Sequence, residues 1–131
     1  MSKLTDQTEV LYRQIHPDFF TDGAPSSDRF KPYSNDDGLM STDRSSLTTP
    51  KDSHSLYVSQ GKLSAAVYGI SVQEFGNENI DCLSNPIFNT PGQADNHAHA
   101  LADYRQHDPR RYGNIAKRLK KLAMARGCLH K

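Results

Sequence analysis

The chain has 131 residues, a length that accommodates one small domain with a modest core. Only 35% of the residues are hydrophobic, and no apolar run approaches the roughly 18 residues of a transmembrane helix. Two cysteines, Cys82 and Cys128, are too few for a disulfide framework or a four-cysteine zinc site. The first ten residues lack the apolar core of a signal peptide, so we expect a cytoplasmic protein without a membrane partner.

The near-neutral formal charge of +1 conceals two segments of opposite charge. Residues 1–104 contain seven basic and fourteen acidic residues, a net −7, whereas residues 105–131 contain nine basic residues and one acidic residue, a net +8. A split of this kind indicates a basic element that meets either an anionic partner or the acidic body of its own protein.

The N-terminal part of the chain predicts two strands separated by a long loop. Residues 1–8 are polar and are expected to be flexible. Residues 10–15 are rich in strand formers and predict the first strand. Residues 16–37 contain many turn formers, but their aromatic side chains should fold the loop back onto the body. Residues 38–42 predict a second short strand.

Arg13 has an unusual position in the first predicted strand. Side chains alternate between the faces of a strand, so Arg13 shares a face with Leu11 and Ile15. A charged group among apolar neighbours must be paired or must open onto a cleft.

The middle of the chain predicts one helix and further strands. A helix of about residues 50–60 begins after a threonine that can cap it and carries proline at its first position. Residues 67–72 predict a central strand and residues 79–83 another. Residues 84–96 have the composition of a loop, and residues 97–101 suit either a strand or the start of a helix.

A basic helix is predicted over residues 109–126. Asp108 can cap it, Pro109 takes its first position and Gly127 ends it. Its apolar residues recur at helical spacing and form one stripe: Tyr112, Ile115, Ala116, Leu119, Leu122 and Ala123. We therefore predict a single α+β domain over residues 1–131, in which a small, mostly antiparallel sheet carries one short helix and has the basic C-terminal helix packed on it.

The basic residues of this helix are candidates for binding a polyanion. Six of them lie off the apolar stripe: Arg110, Arg111, Lys117, Arg118, Lys120 and Lys121. Binding to a nucleic acid through them would release counterions and weaken steeply with salt. The same composition also suits a solvated face balanced by the acidic body, or a surface for an acidic protein. The stripe has none of the Trp or Phe residues of a membrane-surface helix.

Asp95, His97 and His99 form a second candidate site, for a metal ion. On a strand, residues two apart point to the same face, so the two imidazoles and the carboxylate could hold one ion. On a helix this spacing separates them. The alternative is a half-buried histidine with ordinary hydrogen bonds, and the leading expectation is a protein without a metal ion or another cofactor.

Arg13, Ser41 and Glu74 lie in that order on, or at the end of, predicted strands. This order resembles ADP-ribosyltransferases of the arginine–serine–glutamate type. In that family the arginine holds the dinucleotide phosphates, the serine positions the nicotinamide ribose and the glutamate stabilises the oxocarbenium charge. The resemblance implies an NAD-using enzyme with these residues in one cleft. Asp43 replaces the second serine of the family's Ser-Thr-Ser pattern, and Val72 stands where a Gln or Glu normally precedes the catalytic glutamate.

Several segments of the chain are similar to a group of small bacterial proteins without an assigned activity: LYRQIHPDFF, DGAPSS, FKP and AMARGCLHK. This resemblance implies one intact domain in a bacterial cytoplasm and assigns no functional residue. The leading hypothesis is a module that binds a polyanion or an acidic partner through residues 105–131, and the transferase is the alternative. A toxin-like or antitoxin-like component of a defence system is a third hypothesis, and the oligomeric state stays open.

Overall fold

A computed structural model describes all 131 residues. In chain order, its strands and α-helices are β1 (Val10–Ile15), β2 (Phe20–Thr21), β3 (Ala24–Pro25), β4 (Leu39–Arg44), α1 (Pro50–Ser59), β5 (Ala66–Ser71), α2 (Val72–Gly76), β6 (Asp81–Ser84), β7 (His99–Asp103) and α3 (Tyr112–Arg126). Three short 3-10 helices complete the fold: Pro17–Phe19, Ser27–Phe30 and Pro109–Arg111. None of the helices combines the length and the apolar character needed to span a bilayer.

Five strands form one antiparallel sheet in the order β5-β1-β4-β7-β6. The predicted α+β class, with an antiparallel sheet and a C-terminal helix packed on it, is confirmed. The ambiguous segment near residue 99 is a strand, because β7 lies between β4 and β6 and has partners on both sides. The remaining strands, β2 and β3, form a small hairpin inside the long loop.

The helices α1 and α3 cover opposite faces of the sheet. Leu11 and Ile15 of β1 point into the main apolar cluster, which also holds the buried residues of α3. Gln14 points the other way, and its Nε2 donates to Ser53 Oγ on α1 at 2.9 Å. The two faces therefore differ in character: one is packed with apolar side chains, and the other carries hydrogen-bonded polar groups.

Helix α3 ends at Arg126 as predicted but begins at Tyr112 rather than at residue 109, because Pro109–Arg111 form a 3-10 turn. Asp108 accepts a hydrogen bond from the Arg110 backbone at 2.9 Å, and a short 3-10 turn leads into the α-helix. Four residues of the predicted stripe are buried: Ile115, Ala116, Leu119 and Ala123. Leu122 is 38% exposed, so the buried part of the stripe is narrower than the sequence pattern.

The second short helix, α2, was not predicted. The apolar run after residue 63 predicts a strand, but β5 ends at Ser71 and the chain turns into a helix there. Ser71 Oγ accepts from the Glu74 backbone at 3.1 Å, and the Glu74 carboxylate accepts from the Ser71 backbone at 2.8 Å. This reciprocal capping box satisfies two backbone donors and ends the strand.

Within residues 1–8, which the sequence predicts to be flexible, residues 2–4 make backbone contacts with the sheet. Leu4 is buried, and its backbone donates to Cys82 O at 2.8 Å, while Ser84 N donates to Ser2 O at 2.8 Å. The segment thus pairs with β6, an outer strand of the sheet. The physical reason is that an edge strand has unpaired backbone groups, which a neighbouring extended segment satisfies.

Candidate functional site

A polar cavity of about 470 Å³ lies between the sheet, α1 and the connection from β6 to β7. Its floor includes Tyr12, Asp43 and His99, which come from β1, β4 and β7. Tyr12 is directly opposite Asp43 in the sheet, and Asp43 is directly opposite His99. Residues opposite each other in an antiparallel sheet share a face, so these three side chains form one row across three strands.

Asp43, at the centre of this row, is held by two neighbours. Ser53 Oγ donates to one carboxylate oxygen at 2.6 Å, and Asn96 Nδ2 donates to the other at 2.8 Å. These bonds connect β4 to α1 and to the connection before β7. The carboxylate is therefore fixed in position, and each of its oxygens has one further lone pair for a ligand donor.

Two buried arginines fill a gap where β1 and β4 separate. The paired register between these strands ends at Tyr12 and Asp43. Beyond it, Arg13 Nη1 donates to Ser41 O at 3.0 Å, and Arg13 Nε donates to Arg29 O at 2.7 Å. Arg29 Nη2 in turn donates to a carbonyl of β1 at 2.7 Å. Side-chain donors thus replace the backbone ladder at the edge of the cavity.

Neither of these arginines has a carboxylate partner. Arg13 is 8% exposed and Arg29 is 6% exposed, yet neither takes part in an ion pair. Burial, together with the nearby Arg29 charge, lowers the pKa of Arg13 to about 10. Arg13 is still protonated at neutral pH, so the site holds a buried cation that its own fold does not neutralise.

The structure brings together two of the three residues in the transferase hypothesis. Arg13 and Ser41 both line the cavity. Glu74 does not, because the capping box places it on α2, where Arg126 Nη1 contacts its carboxylate at 2.8 Å. Burial raises the pKa of Glu74, but hydrogen bonds from Arg126 and Ser71 outweigh this and lower it. The cavity thus holds Arg13 and Ser41 without Glu74, whose hydrogen bonds are those of a helix cap and an ion pair.

The predicted metal site at Asp95, His97 and His99 is also not formed. Only His99 lies in β7; His97 precedes the strand, and its ring contacts Leu47 O at 3.1 Å. Asp95 accepts from a loop backbone at 3.0 Å. Side chains two residues apart share a face only within a strand, and β7 begins at His99. His97 lies before it, so the two rings are not aligned. No group of three or more His, Cys, Asp or Glu side chains is placed to hold a metal ion.

His99 is instead a half-buried histidine with ordinary hydrogen bonds, the alternative that its sequence context allowed. Its Nδ1 lies 2.9 Å from Asn85 O, which accepts a hydrogen bond from that nitrogen. Burial lowers the pKa of His99, and Lys62 acts in the same direction, against the opposing effects of Asn85 and Asp43. The ring is therefore neutral at neutral pH, and its Nε2 is a hydrogen-bond acceptor.

The lowered pKa of His99 predicts a loss of stability in mild acid. The unfolded chain binds the proton first, near pH 6.5, so the stability contributed by neutral His99 is complete above that pH and is lost as the pH falls through the folded pKa. We expect the free energy of unfolding in urea to fall more for the wild type than for His99→Gln between about pH 7.5 and 5.5. His97→Gln, which changes an exposed histidine, is the control, and its free energy of unfolding should vary with pH as that of the wild type does. The same pH dependence in His99→Gln as in the wild type and the control would contradict the assignment.

Eight of the nine basic residues of the C-terminal segment, residues 105–131, fall into two groups, and the ninth is the terminal Lys131. Four of them pair with acids: Arg105 with Asp103 at 2.9 Å, Arg110 with Asp108 at 2.8 Å, Arg118 with Glu78 at 2.7 Å and Arg126 with Glu74 at 2.8 Å. Four others, on α3 or in the turn before it, form no ion pair and are defined here as the basic face of α3: Arg111, Lys117, Lys120 and Lys121. The acidic body thus neutralises only part of the basic helix.

Arg13, Ser41 and His99 were predicted from the sequence as site residues, but their grouping with Tyr12 and Asp43 was not. The signal that pointed to this region was the arginine on an apolar strand face. Comparison with known proteins adds nothing to the assignment, since no family model matches the chain and no match was found among curated proteins or solved structures.

Proposed function

We propose that this protein is a binding module that engages a nucleic acid through the basic face of α3. The observation that carries the proposal is that this face has no acidic partner, whereas Arg110 and Arg118, which the sequence grouped with it, are paired with Asp108 and Glu78. Lys117, Lys120 and Lys121 are spaced by three and four residues, so they project from one side of the helix.

The anchoring of the helix supports this role. Buried residues on the opposite side of α3 fix it to the sheet, and Arg118 and Arg126 connect it to acids of the body. A helix held in this way presents its lysines at fixed spacing without a backbone ordering cost on binding. Cationic side chains that contact phosphates release counterions, which supplies sequence-independent affinity.

Binding should be strongly salt-dependent. With about four phosphate contacts, the affinity for a mixed-sequence DNA duplex or RNA should fall roughly 100-fold between 50 mM and 200 mM salt, as measured by fluorescence anisotropy. Replacing Lys117 and Lys121 with Gln should reduce the salt slope by about 2 and weaken binding at low salt at least about 10-fold.

A matched variant controls for total charge. Replacing Lys51 and Lys62 with Gln removes the same two charges from the region of α1, on the other face of the sheet, and should leave binding unchanged. Equal losses in both variants, or no binding at low salt, would reject the proposal. Binding of polyglutamate without binding of nucleic acid would instead identify an acidic protein as the partner.

We further propose that the protein acts in the bacterial cytoplasm. Cys82 and Cys128 are both free thiols in the fold, as proteins of reducing compartments commonly have. Cys82 is buried, and burial raises its pKa to about 12, so its thiol stays protonated and unreactive at neutral pH.

A further inference from the structure

Three polar groups of the cavity make no hydrogen bond within the protein: Arg13 Nη2, the Tyr12 hydroxyl and His99 Nε2. Arg13 and Tyr12 are each 8% exposed. No fully enclosed side-chain nitrogen or oxygen in the structure lacks a partner, so these atoms keep accessible surface. All three residues line the same cavity. Arg13 starts from the opposite face of β1, but its Nη1 bonds Ser41 O in the gap between β1 and β4, and Ser41 also lines the cavity.

The cavity has an excess of positive charge. Arg13 and Lys62 line it, and Arg29 lies directly behind Arg13, whose Nε binds its carbonyl. Asp43 is the one carboxylate in the lining, so two lining cations, with Arg29 next to one of them, stand against one anion. Two of the five N–H groups of Arg13 are used by carbonyls, and the rest can bind an oxyanion. A buried guanidinium without a counter-ion gains most from a ligand that supplies one.

The rest of the cavity floor requires hydrogen-bond donors from its ligand. His99 Nε2 carries a lone pair, because Nδ1 holds the proton that faces Asn85 O. Asp43 offers the remaining lone pairs of its carboxylate, and Tyr12 can donate or accept. Hydroxyl groups satisfy all of these without adding positive charge to a site that already has an excess of it.

We propose that this cavity binds a small hydroxylated anion, with its phosphate or carboxylate on Arg13 and its hydroxyls on the row Tyr12, Asp43 and His99. A volume of about 470 Å³ is within the range of small-molecule sites and suits a ligand the size of a sugar phosphate. This site is independent of the basic face of α3.

Isothermal titration calorimetry with four probes tests the chemistry of the ligand. Glucose 6-phosphate and gluconate each carry an anionic group and hydroxyls, glucose lacks the anion, and inorganic phosphate lacks the carbon hydroxyls. We expect at least one of the first two to bind at least about 10-fold more tightly than glucose and inorganic phosphate. Whichever of them binds identifies phosphate or carboxylate as the recognised group.

Single substitutions test the residues. Arg13→Gln should weaken binding of that probe about 100-fold or more, and Tyr12→Phe about 5–10-fold, because the first removes a charged donor and the second one neutral hydroxyl. Arg13 also bonds two backbone carbonyls, so its variant is checked by circular dichroism. If Arg13→Gln does not fold, the affinities of Tyr12→Phe and Lys62→Gln for the probe test the site instead. Neither substitution removes a hydrogen bond that holds the strands together.

Matched controls separate this site from other charged surfaces. Lys51→Gln removes an exposed charge from α1 outside the cavity and should not change binding of the probe. The Lys117 and Lys121 variant should also bind the probe normally, so nucleic-acid binding and cavity binding can fail separately. Absence of binding by all four probes at about 10 mM, or equal affinity in Tyr12→Phe and the wild type, would overturn the assignment.

Discussion

Replacing Arg44 with Met should destabilise the fold by about 3 kcal/mol or more, because it leaves the Glu9 carboxylate buried without its counter-ion. The Glu9 side chain is only 3% exposed, and both of its oxygens face the Arg44 guanidinium, at 3.1 and 3.2 Å. Ser46 also donates to this carboxylate through its backbone, at 3.2 Å. The pair connects the start of β1 to the end of β4, so its loss weakens the centre of the sheet.

Urea denaturation at two pH values tests whether the unpaired charge of Glu9 causes the loss of stability in Arg44→Met. Burial raises the pKa of Glu9, but hydrogen bonds from Arg44 and Ser46 outweigh it and lower the pKa. The stability from this group is therefore present above its unfolded pKa and is lost as the pH falls through the folded one. We expect the deficit of Arg44→Met to shrink in acid, where Glu9 becomes protonated.

The double variant Glu9→Gln, Arg44→Met separates burial of a charge from loss of side-chain packing. Glutamine keeps most of the shape of the Glu9 side chain without its charge, so the double variant should recover part of the stability lost in Arg44→Met. A double variant no more stable than Arg44→Met would show that packing of the arginine stem, rather than the orphaned carboxylate, dominates.

Replacing Leu119 with Ala should destabilise the protein by about 3 kcal/mol, whereas Leu122→Ala should cost less than about 1 kcal/mol. The two leucines lie on the same helix and in the same sequence stripe. Leu119 is completely buried in the main apolar cluster, but Leu122 is 38% exposed. The first substitution leaves a cavity between α3 and the sheet, and the second removes atoms that already contact water.

The free energies of unfolding of Leu119→Ala and Leu122→Ala, measured in urea, test how α3 packs on the sheet. Equal costs would mean that the helix is rotated relative to its position in the structure. Because the basic face is opposite the buried stripe, a rotated helix would also change which lysines reach a nucleic acid. The stability experiment therefore bears directly on the proposed function.

Local sequence signals predicted α3 well because they act within the helix. Asp108 caps the 3-10 turn that leads into the helix, and the apolar spacing selects one face of α3. The same kind of local signal was present at Ser71 and Glu74, whose spacing is that of a capping box, but the apolar run around it favoured a strand. At α2 the capping hydrogen bonds outweighed strand propensity.

The sequence by itself determined the class of fold, the first strand, the C-terminal end of the basic helix and the separation of acidic from basic segments. These depend on spacing and composition along a continuous stretch of chain. Only the tertiary structure decided which basic residues are free and where the cavity lies. Tyr12, Asp43 and His99 are far apart in the chain and meet through strand register. Pairing of charges and convergence of side chains depend on distances across the sheet, which no local pattern contains.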